Sequence, residues 1–264
     1  MATRTRRSQR RTEALSRQQI VEAAVELLDA AGEGGLTFRA LSERLATGPG
    51  AIYWHVANKD ELLGAATDAV VATALTVEPA EPGSSPEDGI RTVALGLFDA
   101  IDAHPWLAPQ LSVQLSRNPG GPVTPRLFES VGRQVRALGV PETAWFTATS
   151  GLVHYILGAA AQNAANARVP EPGTDRAAFL DAVSTTWEEL DRDEFPFIHA
   201  VADQVREHDD RAQFLAGVDL VLAGITTVHL SGERAGEAPG EGQAPVRRPG
   251  EQDQAQHVTA RADP

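Results

Sequence analysis

The feature that most constrains the fold is the punctuation of residues 16 to 70. Four apolar stretches of helical period follow one another, with helix-capping and helix-breaking residues between them. Ser16 and Gln19 stand at capping-box spacing, and Ile20, Ala23, Ala24, Leu27, Leu28 and Ala31 recur on one helical face. The glycines between Gly32 and Gly35 end that run. Thr37 opens a shorter helix with Phe38, Leu41 and Leu45 turned inward. Thr47 and Gly48 break the chain, and Pro49 suits the first turn of a third helix that carries Ile52, Tyr53, Trp54 and His55. Asn58 caps a fourth, with Glu61 at the capping-box position and Leu62, Leu63, Ala66, Ala69 and Val70 as its buried stripe. Short helices joined by a tight glycine-containing turn have the helix-turn-helix pattern. The second helix of such a pair enters the major groove of DNA while the first crosses the backbone.

Beyond residue 70 the pattern stays helical. Glu78 to Pro86 is a linker by composition. Helices are expected over about 87–104, in a shorter piece after Pro105, and over 125–138, capped by Thr124 and stopped by Gly139. Others follow over about 142–167, 175–190, 195–207 and 210–230. No strand-period segment competes, aromatics are few, and alanine, leucine and valine dominate the apolar set, so the expected class is all-α. The expected organisation is a disordered basic arm over 1–15, a DNA-binding head over 16–63, a helical ligand-binding and dimerisation body over 64–230, and a disordered tail over 231–264.

Charge separates the two ends. Through Leu63 nine basic residues face eight acidic ones, a net +1, which leaves −14 on the remainder of a chain whose formal charge is −13. Such asymmetry fits a chain that meets phosphate at one end only. Cysteine is absent, so no disulfide framework or thiolate site exists. No apolar stretch follows the basic N-terminus and no run of about 18 apolar residues occurs, which gives the expectation of a cytoplasmic protein with no membrane partner. The seven histidines are scattered. With no H-E-x-x-H, G-x-S-x-G, Walker loop or strand-borne GxGxxG, an enzyme is not expected.

Tyr53, Trp54 and His55 within one turn suggest a surface that meets a partner. Lys59 at the start of the fourth helix suits a phosphate, and Arg39 suits a phosphate or a guanine edge. The stretch LTFRALSERLATGPGAIYWHVANKDELL resembles the DNA-binding domain of the TetR family, and YWHVANKDELL is similar to the tetracycline repressors in particular. The likeness is strong from Ser16 to Ala66. It is weaker in SGLVHYILGA and FLAGVDLVLAGI, which look like the family's two dimerisation helices. The resemblance implies a homodimer on a palindromic operator, with Thr37, Arg39, Thr47, Gly48, Pro49, Gly50, Tyr53, Trp54, His55 and Lys59 at the DNA. Gly48 and Gly50 replace side chains that read bases in the tetracycline repressors, so a different operator is expected.

The resemblance also implies repression relieved by a small-molecule effector; activation or constitutive DNA binding on the same fold is the alternative. The expected ligand set is Phe98, His104, Trp106, Gln110, Gln114, Trp145, His154 and Gln162, polar and aromatic groups on otherwise apolar helices. Each polar member, taken singly, is better explained by a bond to a neighbouring carbonyl or by solvent; it is the resemblance that joins the set into a pocket. Gln114 and Gln162 stand where the tetracycline repressors place a histidine and a glutamate near magnesium, so no metal or cofactor is expected and the effector is a less polar metabolite or antibiotic.

Overall fold

The structure, a computed structural model, describes residues 15–76, 83–167 and 175–236. The expected arm falls outside the described residues except for Leu15, and so does most of the linker at 77–82. The expected tail is helical as far as Gly236 and lies outside them from residue 237. Among the described residues every regular element is helical.

The head is built on α1 (Arg17–Gly35), α2 (Phe38–Arg44) and α3 (Pro49–Tyr53). Ser16 accepts from the Gln19 N–H while the Gln19 side chain accepts from the Ser16 N–H, which satisfies two backbone donors that a helix start leaves open. Near its end α1 turns sharply at Gly32, where φ is 62° and ψ −167°, a backbone state only glycine holds without strain. The kink delivers Leu36 into the core. There it joins the hydrophobic cluster that also holds Ile20, Ala24, Leu28, Leu41, Ile52 and Val56.

The turn between α2 and α3 is a Schellman closure: Ala46 N–H donates to the Glu43 carbonyl and Thr47 N–H to that of Ser42. Its left-handed residue is Ala46, at φ 48°, two residues before the glycine that was expected to break the chain. Gly48 instead caps α3 in extended backbone.

Helix α4 (Lys59–Leu75) runs without interruption past residue 63 and packs on both α1 and α5 (Pro86–Ala103). Head and body therefore share one hydrophobic cluster, from Ile20 through Ala66 to Ile225. The body continues with α6 (Leu107–Arg117), α7 (Val123–Ala137), a 3-10 turn at Glu142–Ala144 and α8 (Trp145–Asn166). Helix α5 opens with a Ser85–Asp88 capping box. Helix α7 starts before Thr124, whose hydroxyl is buried without a hydrogen-bond partner and does not cap, a correction to the expected start. Gly139, at φ 83°, ends α7 as its position implied.

The chain then forms α9 (Arg176–Glu188) and α10 (Pro196–Arg206), packed mainly on one another through Leu180, Ala202 and a Ser184 hydroxyl that donates to the Ala202 carbonyl. Helix α11 (Asp210–Gly236) packs on α5 and α8. Gly217 permits its close approach to α8, since a Cβ there would lie 1.7 Å from the Tyr155 hydroxyl oxygen. That hydroxyl donates to the Phe214 carbonyl at 3.1 Å, and desolvation raises the phenol's pKa.

Head and body are also tied by polar contacts. Asp29 Oδ1 on α1 accepts from the Trp106 indole N–H at 2.6 Å and meets His104 Nδ1 at 2.7 Å. One turn further along α1, the Glu33 carboxylate accepts from the Gln110 amide at 2.9 Å.

Helix α11 bears on one point of the sequence reading. Its stretch Asp210–His229 has a mean hydropathy of 1.4 and is long and apolar enough, by composition, to cross a membrane. Phe214, Val218, Leu222 and Ile225 face α5 and α8, but only 22% of the stretch is buried. Leu220 and Val228 lie open to solvent, so the packing of α11 on α5 and α8 accounts for only part of its apolar composition.

Candidate nucleic-acid interface

Helix α3 is held by its apolar side and presents the rest outward. Ile52 is fully buried, and the Tyr53 ring stacks on Phe38 of α2 with centroids 4.5 Å apart. Trp54, one residue on, is 89% exposed, and Tyr53 still exposes about half of its surface. Gly48, Pro49 and Gly50 at the helix start are open, and a Cβ at either glycine would meet nothing. An indole standing in water is a large apolar exposure. At the end of a helix whose N-terminus is unobstructed, it makes a surface shaped for a groove rather than for a core.

The flanking elements supply charge. Arg39 projects from the first turn of α2, almost fully exposed, and among the described residues pairs with Glu43 one turn on, at 3.0 Å. Thr37 spends its hydroxyl on the Ala40 N–H as the α2 cap. Asn58 caps α4 by accepting from the Glu61 N–H. The Glu61 carboxylate turns back to take the Ala57 N–H at 2.8 Å and Arg17 at 2.9 Å. Those hydrogen bonds, the backbone one first, hold its pKa below the ordinary 4.5. Lys59 donates to the Glu33 carbonyl at the end of α1, 2.7 Å away, and Arg44 pairs with Glu26. All four basic side chains of the described head are thus on carboxylates or a carbonyl. Exposed pairs of this kind are worth about 0–1 kcal/mol, so phosphates can displace them.

The expected DNA-contact residues fall on consecutive elements of the head: Thr37 caps α2 and Arg39 lies in its first turn, Thr47 and Gly48 are in the turn, Pro49 and Gly50 start α3, Tyr53 to His55 stand at its end, and Lys59 starts α4. The two domains of this chain match two described families. Residues 20–66 match "Bacterial regulatory proteins, tetR family", and residues 78–229 match "Tetracyclin repressor-like, C-terminal domain". The chain belongs to the TetR family. It is a DNA-binding transcriptional regulator and not an enzyme. Among solved structures it is similar to the TetR regulator SCO7222 of Streptomyces coelicolor, at 67% identity and a TM-score of 0.75 over 81% of this chain and 99% of that one. It is also similar to the TetR family protein ActR of the same species in complex with actinorhodin, at 26% identity and TM-score 0.68, over 82% of this chain and 98% of ActR. BioQ with its double-stranded DNA operator shares 27% identity at TM-score 0.50, over 74% of this chain and 99% of BioQ.

The residues expected to form a ligand site in this TetR-family body do not converge on one cavity. Phe98 packs on Phe214 and under Arg211. Trp145 donates to the Val140 carbonyl and lies under Arg136. His104, Trp106 and Gln110 are engaged with α1. Gln114 is buried, accepts from Asn118 and abuts Gly64. His154 and Gln162 lie on the exposed face of α8, in line with Gly151 and Gly158. Two cavities lie at the seam of head and body, and each takes in part of the expected set. One of 480 Å³ between α4 and α6 is lined by Gln110 and Gln114 with Glu33, Asp60 and Glu61. The other, of 630 Å³, lies between α1, α4 and α5 and includes only His104 of the expected set. The sequence reading missed the larger one because its floor is mostly alanine and valine, which carry no distinguishing signal.

Proposed function

We propose that this regulator is a homodimeric repressor that leaves a palindromic operator when a small molecule binds. The exposed Trp54 at the end of α3, a helix whose start is also open, carries the reading, since it gives each head one surface suited to a major groove. The open faces of α8 and α11 support the pairing. Gly151, His154, Gly158 and Gln162 line up on α8, and Ala216, Leu220, Ala223, Gly224 and Val228 on α11. Two such helices from each copy make a four-helix bundle about a two-fold axis, which buries the open side of α11 and turns His154 and Gln162 toward the partner copy. That arrangement covers the apolar side of α11 that a membrane would otherwise meet, and a DNA partner places the protein in the cytoplasm, with an effector and its own copy as further partners. The actinorhodin bound by ActR supports a small-molecule effector.

The test is selection of bound duplexes from genomic fragments, followed by binding at several salt concentrations. Affinity should fall steeply as salt rises, and Trp54→Ala should abolish discrimination between selected and random duplexes while weak, salt-sensitive binding remains. A Trp54→Ala protein with the wild-type sequence preference would refute the assignment of α3.

A further inference from the structure

The groove between α1, α4 and α5 has features of a ligand site that packing alone does not require. Its 630 Å³ lies within the range of small-molecule pockets. Its floor is apolar: Val21 and Val25 from α1, Ala69 from α4 and Ala100 from α5. Its rim carries three carboxylates, Glu22 and Glu26 one turn apart on α1 and Asp99 on α5. Glu26 pairs with Arg44 and Asp99 with Arg211, but neither guanidinium lines the groove. Glu22 accepts from the neutral Gln18 amide at 2.8 Å, which does not cancel its charge. The rim therefore has a surplus of negative charge over an apolar floor.

The walls belong to both halves of the molecule. Helix α1 is part of the head, α5 part of the body, and α4 joins them. His104, at the groove's edge, is the residue that meets Asp29 of α1. A molecule seated here touches head and body together, so its fit depends on their relative setting. A ligand that prefers one setting shifts the equilibrium toward it.

We propose that this groove binds a cationic, largely apolar small molecule, an aromatic system of one to three fused rings that carries an alkylammonium group, and that occupancy weakens operator binding. The regulatory half rests on the repressor reading above. The ring system covers the valine and alanine floor, and the ammonium sits between Glu22 and Asp99. A carboxylate-bearing ligand of the same size is repelled by the same rim.

The test uses the full-length protein and two naphthalene probes whose fluorescence rises in apolar surroundings, cationic dansylcadaverine and anionic anilinonaphthalene sulfonate. Dansylcadaverine should bind saturably and at least about tenfold more tightly than the anion. Ala100→Leu, which fills the floor, should abolish its binding with helical content retained. Glu22→Gln, at an exposed position that folding does not depend on, should weaken it about three- to fivefold, as expected for one partly screened charge. With a selected duplex, saturating dansylcadaverine should raise the dissociation constant by at least about fivefold. Equal affinity for the two probes, or binding unaffected by both variants, overturns the site. Probe binding that leaves duplex affinity unchanged overturns its regulatory role. Failure to bind any duplex without probe overturns the repressor reading instead, and leaves the probe titration to stand on its own.

Discussion

Replacing Asp29 by alanine probes the tie between head and body most sharply. Asp29 Oδ1 is the acceptor of the Trp106 indole N–H at 2.6 Å, and Trp106 is only 6% exposed. Without the carboxylate that N–H is left buried and unmatched, at a cost of about 1–3 kcal/mol. The His104 contact is lost too, but that imidazole is partly exposed and recovers water. A double-mutant cycle separates the two effects. In a Trp106→Phe background no indole N–H remains to be orphaned, so Asp29→Ala should cost about 1 kcal/mol or more less than in the wild type, while the His104 contribution cancels. Urea unfolding of the four proteins, followed by circular dichroism at one fixed protein concentration, measures this difference. An equal cost of Asp29→Ala in both backgrounds would refute the reasoning.

Other expectations follow from the head. Ala46→Gly relieves a left-handed alanine in the helix-turn-helix turn and should stabilise by about 0.5–1 kcal/mol, after allowance for glycine's greater unfolded-state freedom; thermal melting checks it, and a loss of stability would contradict it. The Glu61 carboxyl is held below its ordinary 4.5 by the Ala57 N–H first and Arg17 second, so its stabilisation is complete above about pH 4.5 and is lost as the pH falls through the depressed folded-state value. The stability difference between wild type and Glu61→Gln should therefore shrink on acidification from pH 7 to 3, and a pH-independent difference would exclude this origin. Residues 15–63 hold four basic and seven acidic residues, so the head's net positive charge comes from the five arginines before Leu15. Deleting residues 2–14 should make the dependence of log affinity on log salt shallower by up to about 4, and an unchanged slope would show that the arginines do not meet phosphate.

Much of the head is legible because capping chemistry is local. Ser16, Thr37 and Asn58 cap the helices they were expected to cap, since each must satisfy a backbone N–H three residues on. The turn before α3 was harder. Gly48 drew the break toward itself, while the chain places Ala46 in the left-handed position and uses Gly48 as an extended cap. Thr124 failed as a cap because α7 begins before it. The ligand set was least legible. A polar residue on an apolar helix looks the same in sequence whether it meets α1, as Gln110 does, or lies exposed on its own helix, as Gln162 does. Only the packing of neighbouring helices distinguishes these cases.

The central claim is that α3 enters DNA as one of a symmetric pair. Selection from a fully randomised duplex library, combined with sedimentation of the resulting complex, tests it directly. The account predicts two inverted half-sites and two copies of the chain on each duplex. A single unsymmetrical site occupied by one copy, or no enrichment at low salt, would contradict it.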